Sequence, residues 1–101
     1  MLIFNTTFLV SDRYYGAWLK WSREFMIPFM MESGAFTQPQ VAKVLTGDEQ
    51  DGTSFSVQFH VSDMDTLANW NAEYAERFQA EVTERFGQEV LFFSTVLELI
   101  G

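Results

Sequence analysis

Residues 52–62, GTSFSVQFHVS, alternate strictly between apolar and polar side chains. Phe55, Val57, Phe59 and Val61 point one way; Ser54, Ser56, Gln58 and His60 point the other. A period of two over this length predicts a half-buried β-strand. The apolar side calls for helices packed against it. The other side is polar but uncharged, which is unusual for a face left in water. The stretch reads as a central strand of a four-stranded sheet, and what covers its polar face becomes the main functional question.

Residues 2–10 are rich in Phe, Thr, Ile and Val and predict a second strand. Phe4, Thr6, Phe8 and Val10 share one face; Ile3, Asn5, Thr7 and Leu9 share the other. Neither face carries a charge, as befits a strand covered on both sides. Ser11-Asp12 can then cap a helix running to Ser33. Tyr14, Trp18, Trp21, Phe25 and Phe29 recur at spacings of three and four, an aromatic stripe aimed at the sheet. Tyr15, Leu19, Met26 and Met30 form a neighbouring stripe, so the apolar arc is wider than one sheet contact needs. Pro28 removes the bond to the Glu24 carbonyl and predicts a kink there. Gly34 suits the position just past the helix end.

Past Pro39, read as a breaker, residues 41–46 predict a short strand joined to 52–62 by an acidic hairpin tip, GDEQDG. Asp48, Glu49 and Asp51 raise the question of calcium, but the spacing departs from an EF-hand loop and a solvated turn is the simpler reading. Ser62 with Asp65 resembles a capping box, and Asp63 also favours a helix start. Leu67, Trp70, Tyr74, Phe78, Val82 and Phe86 mark the buried stripe of a helix stopped by Gly87. Glu73 with Arg77 and Glu81 with Arg85 are spaced for ion pairs on its wet side. Residues 88–100 predict the last strand, with Leu91, Phe93, Thr95, Leu97 and Leu99 assigned to the helix-covered side and Phe92, Ser94 and Val96 to the other.

The order β-α-β-β-α-β is the split βαβ, or ferredoxin-like, pattern. Right-handed crossovers put the first and third strands in the middle, with both helices on one face of an antiparallel sheet. The opposite face then gathers Asn5, Thr7, Ser56, Gln58, His60, Phe92, Ser94 and Val96. It is too apolar for a bare surface and too polar for an ordinary core. A second copy packed sheet to sheet, a dimeric α/β barrel with two-fold symmetry, is the economical cover, with polar pairs such as Gln58 and Ser94 crossing the interface.

The 101 residues predict one domain, 1–101, large enough for a core without staples. Cysteine is absent, so disulfides, thiol nucleophiles and thiolate metal sites are excluded. Eleven Phe and three Trp are much bulky apolar surface for one small domain; a dimer interface or ligand cavity would use the surplus, and a tightly filled core is the plainer alternative. Fourteen acidic residues against six basic give a net charge of −8, which disfavours nucleic acids and anionic membranes as partners. No apolar run is long enough to span a bilayer, and the first residues lack the pattern of a secretion signal, so a cytoplasmic protein is expected.

Three blocks carry a resemblance: MIPFMMESGAF at 26–36, KVLTGDEQDGTSFSVQFHV at 43–61 and ERFGQEVLFFSTVLELI at 84–100. Together they resemble an uncharacterised bacterial domain-of-unknown-function family of about this length. The shared features are an Asn in the opening strand, Ile-Pro and Gly-x-Phe at the helix end, an Asp-Gly hairpin, and Arg-Phe-Gly before the last strand. The resemblance implies a ferredoxin-like fold of the dimeric α/β-barrel kind and brings no assigned activity. Relatives often carry His before Ile-Pro, where this chain has Met26, and Arg-Thr in the last strand, where it has Ser94-Thr95. A role that those groups serve elsewhere would be missing here.

His60 is the only histidine. With no cysteine and no second histidine, no metal site is expected. The carboxylates fall at caps, turns and helix surfaces rather than in a pair. There is no nucleophile elbow, P-loop or dinucleotide fingerprint, so no cofactor is expected. The sequence therefore favours a non-catalytic homodimeric domain that binds a small apolar ligand, with Asn5, Trp21, Met26, Gln58 and His60 as candidate ligand-binding residues. The alternative is a cofactor-independent monooxygenase-like enzyme acting on an aromatic substrate, similar to antibiotic-biosynthesis monooxygenases. Its catalytic candidates are Asn5, His60 and Trp21, with Trp70 a further residue of the right type, and it predicts a cavity touching Asn5 or His60.

Overall fold

A computed structural model describes residues 1–46 and 52–101. The acidic hairpin tip, with the calcium question raised by Asp48, Glu49 and Asp51, lies outside the described residues. Strand β1 spans Leu2–Ser11, β2 Phe36–Lys43, β3 Gly52–Val61 and β4 Val90–Glu98. They form one antiparallel sheet in the order β2-β3-β1-β4. The first and third strands are central, as right-handed crossovers require. Gly52 is needed where β3 begins: a Cβ there would lie 2.7 Å from the Val10 carbonyl oxygen.

The helices lie on one face. The first helical segment opens with a 3₁₀ turn, Asp12–Tyr14, and continues as α1, Tyr15–Trp21. It passes through a π-helical turn at Ser22–Met26 and ends as α2, Ile27–Glu32. The π turn is how the helix accommodates Pro28 near the start of α2. The Ile27 N–H reaches back five residues to the Ser22 carbonyl, and the Ser22 hydroxyl donates to the Leu19 carbonyl at 2.7 Å. Gly34 follows with φ +79°, the left-handed conformation that ends helices. Helix α3 spans Met64–Phe86. Its N-cap is Asp63, whose carboxylate accepts from the Thr66 N–H at 2.8 Å. This hydrogen bond, followed by one with the Thr66 side chain, holds the Asp63 carboxyl below its ordinary pKa. Gly87, at φ +59°, stops the helix. Arg77, expected to pair with Glu73, instead lies over the Phe29 ring at 5.3 Å.

The core is a slab of aromatic rings between the helices and the sheet. Trp18 and Phe8 are fully buried. Trp18 stacks on Phe55 with centroids 4.4 Å apart and tilts against Phe8 at 5.1 Å. Trp21 packs edge-on against Phe8 and Phe86. The aromatic stripe of the first helical segment and the α3 stripe meet there, and Phe55, Val57, Phe59 and Val61 all face inward as their alternation predicts.

Two expectations about the strands also differ from the structure. Pro39 does not precede β2 but sits within it, at a register shift between Thr37 and Gln40 where Gln38 adopts φ +52°. An edge strand tolerates proline at such a bulge because no ladder hydrogen bond is lost. The second difference is the phase of β4. Phe92 pairs with Phe8, Ser94 with Thr6 and Val96 with Phe4, so these residues share the helix-side face. Leu91, Phe93, Thr95 and Leu97 face away from the helices. Both alternating sets of β4 are apolar, so its composition alone did not fix the phase. Register against the inward residues of β1 does. The suggested Gln58–Ser94 pair is therefore ruled out across an open-face interface, because Ser94 is on the other side of the sheet.

Candidate functional site

Two features stand out: the helix-free sheet face and a cavity beneath α3. On the open face, cross-strand pairing aligns Leu9 with Leu91, Thr7 with Phe93, Asn5 with Thr95 and Ile3 with Leu97. Ser54, Ser56, Gln58 and His60 continue the face across β3, and Thr37, Gln40 and Ala42 across β2. None of these residues is an acid, a lysine or an arginine. Phe93 is 63% exposed and Leu91 58%. Asn5 is the hub of the polar half. Its amide donates to Thr7 Oγ1 at 3.3 Å and to Thr95 Oγ1 at 3.2 Å, and its carbonyl oxygen accepts from Ser56 Oγ at 2.6 Å. Gln58 Nε2 in turn donates to Ser56 Oγ at 3.5 Å. The result is a hydrogen-bonded polar centre beside an apolar strip along β4.

The cavity has a volume of about 230 Å³. Its floor is Phe4, Thr6, Val57 and Phe59 of the sheet, and Trp70 and Phe78 of α3 roof it. Met26 and Met30, one helical turn apart, also line it; the π turn ends at Met26. On α3 the row Asn71, Ala75, Gln79 lines the opening, where the two amides are exposed and the small Ala75 leaves room. On the β4 side Thr6 and Ser94 share a hydrogen bond of 3.0 Å. Thr6 is buried and Ser94 exposed. No lining residue is ionisable near neutral pH.

The candidate residues divide between these two places. Asn5, Gln58 and His60 lie on the open face, on the far side of the sheet from the helices. Met26 lines the cavity. Trp21 is buried in the aromatic slab and does not reach the cavity. The structure thus brings Asn5 and Gln58 together but separates them from Trp21 and Met26. Asn71, Ala75 and Gln79 are not singled out by the sequence, and Thr6 and Ser94 are not assigned there to a cavity. One available signal was the alanine between two amides at spacing four, beside an otherwise bulky helix stripe.

A four-stranded antiparallel sheet with two helical segments on one face defines a ferredoxin-like α+β domain. Solved structures with this fold agree along the chain length. An ethyl tert-butyl ether d (EthD) family protein from Bacillus halodurans c-125 superposes with a TM-score of 0.69 at 10% identity, covering 99% of this chain and 100% of its own. A candidate antibiotic biosynthesis monooxygenase from Deinococcus radiodurans gives 0.62 at 14% identity, covering 100% and 94%. A dimeric ferredoxin-like protein from an uncultured marine organism gives 0.59 at 12% identity, covering 99% and 96%. At these identities the likeness is one of fold alone. A comparison with curated proteins finds no significant match. The family model of the domain of unknown function DUF4286 matches residues 1–100, and the chain belongs to that family. Among the described residues no helix is long and apolar enough to cross a membrane.

Proposed function

We propose that this chain is a non-catalytic domain that functions as a homodimer, closing its open sheet face against a second copy as an α/β barrel and holding a small apolar ligand beneath α3. The observation that carries this reading is the uncharged open face with Leu91 and Phe93 largely exposed in the protomer. A contiguous patch of this kind marks an interaction surface. The chain carries a net charge of −8, so two copies repel one another wherever charged faces meet. A neutral face is the part of such a chain able to approach its twin. A two-fold axis lets one self-complementary patch serve both subunits. One of the structures sharing the fold is itself a dimeric ferredoxin-like protein.

The non-catalytic reading is supported by the cavity lining, which holds no acid or base and therefore nothing to activate the Thr6 or Ser94 hydroxyl. The oxygenase alternative asked for Asn5 or His60 at a cavity, and this cavity touches neither. Asn5, Gln58 and His60 serve instead as interface residues in this proposal. The cysteine-free sequence permits a clean test. A Leu9→Cys thiol on the open face should react with a maleimide at least tenfold more slowly than a Glu76→Cys thiol on the exposed side of α3. Equal rates would refute the covered face.

A further inference from the structure

We infer that the cavity beneath α3 selects a neutral, compact apolar molecule bearing one hydrogen-bond-accepting oxygen, such as a hydroxyl or carbonyl attached to an aromatic ring system. This inference deepens the ligand half of the proposed function and stands apart from the dimer half. Size sets the first limit. A dry apolar cavity of about 150 Å³ accepts benzene, so about 230 Å³ suits a ring with a fused ring or substituent. Phe4, Phe59, Phe78 and Phe92 supply ring edges and faces, and Met26 and Met30 adapt to the outline.

Charge sets the second limit. No lining residue carries a charge, and the chain as a whole is acidic. A carboxylate drawn into the site would lose its hydration without gaining a counter-ion. Hydrogen-bonding capacity sets the third. Thr6 and Ser94 hold two hydroxyl hydrogens, and their mutual bond spends only one. Trp70 is 4% exposed, and its Nε1–H meets no acceptor among the described residues, although Trp70 belongs to the cavity lining. The Asn71 and Gln79 amides lie at the exposed mouth, so deeper in the site the donors left for a ligand are the second hydroxyl hydrogen and the Trp70 N–H, an indole as unpaired as those of Trp18 and Trp21. An oxygen on the ligand supplies what is missing.

The test uses the intact wild-type protein with three probes sharing one ring system: 2-naphthol, naphthalene and 2-naphthoate. Binding is followed by calorimetry and by the indole N–H signals of ¹⁵N-labelled protein, with Trp70 assigned through Trp70→Phe. Saturable 2-naphthol binding that moves the Trp70 indole signal is expected. Naphthalene should bind about tenfold more weakly, the worth of one net hydrogen bond. Binding of 2-naphthoate should be at least about 100-fold weaker. Ala75→Leu, which fills the opening, should abolish the Trp70 shift. Ser94→Ala, at an exposed position, should weaken 2-naphthol about tenfold and leave naphthalene unchanged. Absence of saturable binding to the wild-type protein would overturn the inference. So would 2-naphthoate binding as tightly as 2-naphthol, or 2-naphthol binding indifferent to both variants. Light scattering on the same samples separates the two proposals: a monomer that binds 2-naphthol defeats the dimer alone, and a dimer that does not bind it defeats the site alone.

Discussion

Replacing Phe93 by alanine should dissociate the protein without unfolding it. Phe93 is 63% exposed in the protomer. An aromatic side chain buries about 150–250 Å² when covered, so roughly 120 Å² of this ring remains for a partner. At about 25 cal/mol per Å², covering it is worth about 3 kcal/mol. Two-fold symmetry removes two rings per dimer, about 6 kcal/mol in all, or some four decades in Kd. Ordering costs and repacking reduce that figure, and a loss of at least two decades is expected. Sedimentation velocity over a concentration series reads the dissociation, and circular dichroism checks that the fold survives. If Phe93→Ala sediments like the wild type at every concentration, the ring lies in no interface and the reasoning fails.

Three further outcomes follow from the interior and the helix cap. Trp18→Ala removes a fully buried ring stacked on Phe55, and should cost about 3–5 kcal/mol, lowering the midpoint of thermal unfolding by roughly 15–30 °C. Gly52→Ala forces a Cβ against the Val10 carbonyl, a backbone atom that cannot swing aside, and should cost about 1–3 kcal/mol in chemical denaturation. The Asp63 carboxyl has a folded pKa below its unfolded value, so its contribution is present above about pH 4 and is lost as pH falls through the folded pKa. Asp63→Asn keeps a capping oxygen but should flatten this acid limb in urea titrations between pH 2 and pH 6. An unchanged limb would mean that another carboxylate is responsible.

Much of the architecture was legible because period and punctuation agreed. The strict alternation of β3 pointed Phe55 and Phe59 inward, and Gly34 and Gly87 ended helices where they were expected to. The fold class followed from element order and crossover handedness. The phase of β4 was not legible, because Leu91, Phe93 and Leu97 compete with Val90, Phe92 and Val96 for the core, and either set would fill it. That ambiguity is itself informative: a strand apolar on both sides is what a face covered by another molecule requires. Pro39 was misread as a boundary because proline within a strand is tolerated only at an edge or bulge, and edge position is a property of the whole sheet. The cavity was hidden for a related reason. It depends on Ala75 lying near Thr6, Ser94 and Met26, which are distant in sequence and meet only once β4 adopts its register.

In the proposed assembly a second subunit covers the open face, and the mass of the wild-type protein in solution tests this most directly. Sedimentation equilibrium at low micromolar concentration should return twice the 11.7 kDa of one chain. A single-chain mass persisting as the concentration is raised tenfold would contradict it.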